Sequence, residues 1–461
     1  MRNMRKFYIT FVSIMAIAII LPSFTAFASF KPPDEPNSEA LYMVNIGSDF
    51  DTPILEINKD EKRQPASLVK IMTAILLLEH SEEIGKPLED ITVTVESFLF
   101  DDFYDSNGYY IYPSTADFQS GEVVDMKDVI YGLLLNSACE AANIIANYVG
   151  EGDISSFVDM MNAKAKEIGA VNTNFMNPHG LHDDNQYSTA YDIYLITKYA
   201  MDLPGFMEIA TTARYELKAT NKHSEPRMAL HTNLMLDKQR GGPGVYYEHV
   251  KGIKTGTLDA AGRCLVSTGS KDGYNYLIVT MGAPIYDKDG NKLAVNLSYT
   301  DHRKFYEWAF NTFRQTKIVT QNEDIMSFPV EQSAGNDYVN CRPEVDFSTL
   351  LPSTLDKSSV QIIKPPADPI TAPITKGDVL GSIELRLNDE TLTVINLIAA
   401  EDVERSELAF YLDKAKDIIA SPIFKLVVIL IAILLFAYLI MFIKINKKKK
   451  ASKRIRRNRR F

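Results

Sequence analysis

RCLVSTGSKDGYNYLIVTMGA, residues 263–283, is two runs rich in β-branched, aromatic and other apolar residues parted by Asp272-Gly273. An Asp-Gly pair between two such runs is a strong hairpin signal, because both turn positions need a positive φ that this pair tolerates. With VKGIKTGTL (250–258) just before it, the region predicts successive antiparallel strands. Two further short strands are expected near the start, LYMVNIGSD (41–49) and PILEINKD (53–60), where apolar and polar residues alternate. Between the two strand regions the apolar spacing turns helical. PASLVKIMTA (65–74) opens one such run. DMKDVIYGLLLNSACEAANIIANYVG (125–150) predicts two helices with a junction at Asn136-Ser137. ISSFVDMMNAKAKEIGA and TAYDIYLITKYAMD (189–202) predict two more, the latter capped by Ser188 or Thr189, and 299–313 predicts an amphipathic helix. Strands at both ends with helices between predict an α/β fold: one antiparallel sheet with helices on both faces, and a helical subdomain.

The ends of the chain set its compartment. Residues 1–28 carry Arg2, Arg5 and Lys6, then an apolar stretch, then Ala26-Phe27-Ala28, the pattern of a cleaved secretory signal peptide. Residues 426–443 hold no charge, and 423–443 reach the length of a bilayer-spanning helix. The tail 444–461 has eleven Lys/Arg and no acid, which places it on the cytoplasmic side. Residues 29–316 are read as the main domain, 317–400 as a small all-β module of short strands broken by Pro, Gly and Asn, and 401–422 as an amphipathic juxtamembrane helix. Removing the three basic residues of the leader and the eleven of the tail from 49 Lys+Arg leaves 35 against 59 Asp+Glu, a balance of −24 outside the membrane. So acidic an exterior argues against nucleic acid as a partner. Three cysteines, Cys139, Cys264 and Cys341, are too few for a disulfide scaffold and are expected as buried thiols, with a Cys139–Cys264 pair as the alternative.

The chemistry starts at Ser67 and Lys70. Three residues apart on a helix they share a face. A serine hydroxyl is a poor nucleophile until a neighbouring amine accepts its proton, and burial holds a lysine pKa down for that purpose. Lys254-Thr255-Gly256 lies on a predicted strand, where Gly256 admits a ligand backbone, Thr255 donates to a carboxylate and Lys254 supplies positive charge. Ser137-Ala138-Cys139 sits at the helix junction. Each piece alone is common; their order in an exported chain is not.

S-x-x-K, then S-x-C, then K-T-G resembles the signature set of penicillin-recognising serine acyl-transferases. The chain is similar to the low-molecular-mass penicillin-binding proteins that are D-alanyl-D-alanine carboxypeptidases. NPHGLHDDNQYSTAYDI (177–193), HTNLML (231–236) and AGRCLV (261–266) resemble further family segments, and the likeness runs over roughly 40–400. It implies a β-lactamase/transpeptidase-like fold and a membrane-anchored enzyme that removes the terminal D-alanine from peptidoglycan stem pentapeptides. Ser67 would be the acylated nucleophile, Lys70 its base and Ser137 a proton relay. Lys254, Thr255, Gly256, Thr257 and Cys139 would bind substrate, with the N–H groups of Ser67 and Thr257 as oxyanion hole. It also implies inhibition by β-lactams and no cofactor or metal.

One position departs from the family. Cys139 stands where the family usually has Asn, and a thiol is a weak donor and acceptor. That leaves a weakly active or non-catalytic wall-binding relative as an alternative. A class A β-lactamase is a further one, but none of Glu140, Glu151, Glu167, Glu208, Glu216, Glu225 and Glu248 has the Asn four residues on that its deacylating loop carries. His179, His182, Asp183 and Asp184 form a ligand-like cluster that, beside Pro178 and Gly180, reads as a tight loop rather than a metal site.

Overall fold

A computed structural model describes residues 32–457 apart from 33, 48–50, 106 and 389. The expected signal peptide, 1–28, lies outside the described residues, as does the end of the tail.

The 263–283 stretch forms two strands, Gly262–Lys271 and Tyr274–Ala283, with Lys271 paired to Tyr274 across a two-residue turn. Asp272 (φ 52°) and Gly273 (φ 84°) both take positive φ, the turn geometry that matches strand twist. We call the sheet strands β1 (Ala40–Asn45), β2 (Thr52–Ile57), β3 (Val250–Leu258), β4 (Gly262–Lys271) and β5 (Tyr274–Ala283); they run antiparallel in the order β2-β1-β5-β4-β3.

Strand alternation divides the core in two. Leu41, Met43, Leu265, Tyr276 and Ile278 enter a cluster with Phe305, Tyr306 and Phe310. Their sequence neighbours Tyr42, Val44, Val266, Leu277 and Val279 enter a second, larger cluster with the helices on the other face. The smaller cluster is closed by α6 (Leu297–Thr312), and Leu350 joins it from far along the chain.

The larger side is built round α1 (Lys70–Glu83), whose first nine residues are all buried. A helix enclosed on every side belongs in a core, and α2 (Met126–Leu135), α3 (Cys139–Val149), α4 (Ile154–Ile168) and α5 (Ala190–Asp202) enclose it. The predicted junction at Asn136-Ser137 is the break between α2 and α3, where Ser137 takes φ 61°. Thr189 caps α5 by accepting from Asp192 N.

The chain divides into two compact units. One runs to Arg314 and takes in Leu350–Thr354; the other comprises Gln315–Thr349 and the chain from Leu355 onward. The first is therefore not one continuous stretch, whereas 29–316 and 317–400 had been expected as consecutive blocks. The second unit holds a six-stranded sheet of Gln361–Ile363, Val379–Leu387, Glu390–Ala399, Tyr338–Pro343, Met326–Glu331 and Ile370–Thr371 in that order. The expected helix at 401–422 begins later, as α7 (Glu407–Ala420), because Val403 and Arg405 make β-bridges first and Ser406 is the cap. After it α8 (Pro422–Arg457) contains one segment, Pro422–Lys448, long and apolar enough to cross a membrane.

Candidate active site

Ser67 does not lie on α1 itself. Ala66–Val69 is a 3₁₀ turn, and Lys70 is the first residue of α1. Ala66, just before the serine, is held at φ 48°, a conformation non-glycine residues rarely take and that the surroundings must enforce. Two glycines do so. A Cβ on Gly180 would stand 2.1 Å from Ala66 O, and one on Gly256 would stand 3.1–3.2 Å from Ala66 Cβ, Pro65 O and Ser67 N. Gly256 was expected to admit a ligand backbone; the backbone it admits is the chain's own serine turn.

Lys70 is fully buried. Its Nζ lies 2.9 Å from Ser67 Oγ and 3.5 Å from Cys139 Sγ, and it donates to His179 O. Burial lowers its pKa, opposed by Cys139 and Glu140. Lys254 is fully buried on β3 and donates to Thr255 O at 2.9 Å. Its pKa is lowered still further, first by burial and then by Lys70. Thr255 Oγ1 lies 2.6 Å from Thr232 Oγ1, where the strand faces the HTN segment. Asn233 Nδ2 donates to Gly252 O at 2.7 Å, so that segment also fixes the start of β3. Ser137 and Cys139 are buried at the α2–α3 break, and Cys139 N donates to Ser114 O at 2.8 Å.

The structure thus gathers Ser67, Lys70, Cys139 and the Lys254–Thr257 strand round one serine, with Ser137 two residues from Cys139. Cys139, Cys264 and Cys341 are all free and buried, which removes the Cys139–Cys264 disulfide considered above. Cys264 pairs with Gly256 on the neighbouring strand, and burial raises its pKa to about 11, consistent with a packing role. Among the described residues no group of three His, Cys, Asp or Glu gathers as metal ligands.

His179 serves the site through its carbonyl. Its ring lies 3.5 Å from Asp102 Oδ2, and burial lowers its pKa. The loop that carries it is pinned by Thr73 Oγ1 donating to Pro178 O (2.6 Å) and Gly180 N donating to Asn177 Oδ1 (2.7 Å). Thr232, Asp102 and Glu140 were not singled out from sequence as site residues. Glu140 Oε1 accepts from Thr115 Oγ1 (2.6 Å) and Ala116 N (2.7 Å) inside the wall behind Cys139, and burial raises its pKa. The HTN tripeptide was the available signal for Thr232; Asp102 and Glu140 act through contacts 77 and about 25 residues away, which no local pattern records.

Comparison with known proteins gives the family. The D-alanyl-D-alanine carboxypeptidase family (Peptidase_S11) matches residues 32–285, and the C-terminal domain of penicillin-binding protein 5 matches 313–405. The chain is 25% identical to the Bacillus subtilis D-alanyl-D-alanine carboxypeptidase DacF over 407 residues, 87% of this chain and 97% of that one. It is 27% identical to DacC of Escherichia coli over 383 residues, 82% of this chain and 88% of that one. Penicillin-binding protein 5 of Haemophilus influenzae superposes with a TM-score of 0.59 at 24% identity, over 81% of this chain and all of that one. With its serine–lysine pair at the meeting of sheet and helices, and with the catalytic family matching more than half of its length, the chain belongs to the D-alanyl-D-alanine carboxypeptidases, the serine hydrolases of the low-molecular-mass penicillin-binding proteins.

Proposed function

We propose that Ser67 is the nucleophile and Lys70 its general base in removing the terminal D-alanine of peptidoglycan stem pentapeptides. The observation that carries this is the 2.9 Å approach of a fully buried Lys70 Nζ to Ser67 Oγ. A desolvated lysine holds its proton less tightly, so its neutral form is available to take the serine proton. Ser67 Oγ then attacks the carbonyl carbon of the D-Ala-D-Ala bond. The oxygen charge that develops falls to the N–H groups of Ser67 and Thr257, which Gly256 keeps close by leaving no side chain between strand and turn. Thr255 receives the terminal carboxylate; Lys254, whose charge burial disfavours in the free protein, takes up a proton as the carboxylate's partner when substrate binds. Ser137 relays the proton to the departing D-alanine nitrogen as the C–N bond breaks. Water, losing a proton to Lys70, hydrolyses the ester and restores Ser67. β-Lactams acylate the same serine. Cys139 lines the pocket, and its contact with Lys70 supports a working site rather than a degraded one.

The wider reading follows from the chain ends. Residues 1–28 direct export, Pro422–Lys448 anchors the protein in the membrane, the catalytic unit stands outside and the basic tail remains inside. The β-rich unit is read as a spacer or wall-facing module.

Labelling of the purified protein with a fluorescent penicillin tests the chemistry. A stable label lost in Ser67→Ala, with D-alanine released from a peptide ending Lys-D-Ala-D-Ala, is the expected result. A label that turns over rapidly would mean a β-lactamase, and no label would mean a non-catalytic protein. Protease treatment of intact cells tests the topology: the catalytic unit should be cleaved and the tail protected.

A further inference from the structure

An arm of the chain leaves the site at Phe103 and returns at Ser114, and both ends are tied to catalytic neighbours. At its start, Asp102 Oδ2 lies 3.5 Å from His179 Nε2, and the Phe103 ring stands edge-on to the His179 ring at 6.0 Å. At its end, Ser114 O accepts from Cys139 N, and Thr115 and Ala116 bond to Glu140. Between them the arm is a hairpin. Asp105 N donates to Tyr109 O (2.8 Å) and Ile111 N to Phe103 O (2.9 Å), while Asp105 Oδ1 accepts from Tyr109 N.

Tyrosines cover this arm. Tyr104, Tyr110 and Tyr112 form a ladder, with ring centroids 5.4 and 5.1 Å apart and planes inclined by 63° and 81°. They are 53%, 39% and 84% exposed. A contiguous exposed aromatic patch of this kind marks a binding surface. Inclined rings present faces at an angle to one another, and aromatic faces attract cations. The arm and its approaches carry acid alone: Asp101, Asp102 and Asp105 lie at its start, and residues 97–116 contain no Lys, Arg or His.

We infer that this arm receives a primary ammonium group carried on the acyl half of the substrate peptide, between the faces of Tyr110 and Tyr112 and the carboxylates of Asp101 and Asp105. The inference rests on the proposed reaction. With the leaving D-alanine carboxylate on the Lys254–Thr255 side, the acyl half extends from Ser67 past Cys139 and His179, the residues to which the arm is tied.

Binding by the full-length Ser67→Ala protein in detergent separates this inference from the reaction. The probes are a peptide ending Lys-D-Ala-D-Ala and the same peptide with its lysine Nε acetylated. The free amine should bind roughly five- to thirty-fold more tightly, the range of a partly desolvated cation–π contact. Tyr110→Leu with Tyr112→Leu should bring the ratio close to one, while the paired Phe substitutions should preserve it. Penicillin acylation in the Ser67 background should survive the Leu substitutions, which shows that the fold is intact. Equal affinities for the two peptides would overturn the inference, as would a ratio unmoved in the Leu variant. A defect seen only with a disaccharide-linked peptide would also overturn it and assign the rings to sugar stacking. Failure of penicillin to label Ser67 would instead sink the proposed reaction and leave the binding ratio standing.

Discussion

Lys70 Nζ meets Ser67 Oγ at 2.9 Å across a change of helix type, the serine on a 3₁₀ turn and the lysine opening α1. Because burial lowers the Lys70 pKa, acylation needs a neutral amine whose protonation midpoint lies below the usual lysine range. The penicillin acylation rate should fall as pH drops through that midpoint. Glu140 opposes the shift, so Glu140→Gln should move the midpoint to lower pH. A midpoint at the ordinary lysine value, or one unmoved in Glu140→Gln, would contradict this. Lys70→Arg, which cannot be deprotonated, should slow acylation by about 10²–10⁴-fold.

The fully buried Lys254 costs stability. Its pKa is depressed on folding, so below the ordinary lysine pKa the unfolded chain binds more protons than the folded one, and the deficit grows as pH falls. Lys254→Met should raise the thermal midpoint by about 2–6 °C near neutrality. The gain should shrink towards pH 10, while penicillin labelling weakens. Calorimetry at pH 6 and pH 10 decides it; a lower midpoint at both would show that Lys254 is net stabilising.

Gly180→Ala should be more damaging than Gly256→Ala. The first sets a Cβ 2.1 Å from Ala66 O at a residue with φ +80°, and neither backbone can yield cheaply. We expect about a 100-fold loss of acylation rate for Gly180→Ala. For Gly256→Ala, with contacts of 3.1–3.2 Å, the loss should be several-fold. Stopped-flow acylation with a chromogenic cephalosporin measures both.

Cys139→Asn should strengthen substrate binding. An amide supplies two donors and an acceptor where the thiol supplies little, and one net hydrogen bond is worth about 0.5–1.5 kcal/mol. KM for D-alanine release should drop about two- to ten-fold with kcat little changed. An unchanged or higher KM would show that the thiol is already suited to this site.

Much of the scaffold was legible because it is written in local pattern. Asp272-Gly273 named its turn, Thr189 its cap and Asn136-Ser137 its break, each by backbone chemistry confined to a few residues. The late start of α7 was hidden because 401–406 carries helix-tolerant residues that bridge instead to residues Ser333 and Ile374. In the site, side chains with a recognisable order were visible: Ser67, Lys70, Ser137, Lys254. What stayed invisible was the part that backbone atoms perform. The His179 carbonyl reaches Lys70 from 109 residues away, and Gly256 matters because of the turn it touches. A carbonyl has the same sequence signature everywhere, so only the fold reveals which one is used.

Leu350, buried with Tyr276 and Phe310, belongs to the first unit although it follows 35 residues of the second. The two units therefore cannot be exchanged by a single recombination event. A gene fusion that joined this catalytic body to another tail at Arg314 would leave behind a piece of its core, so a viable hybrid needs two junctions.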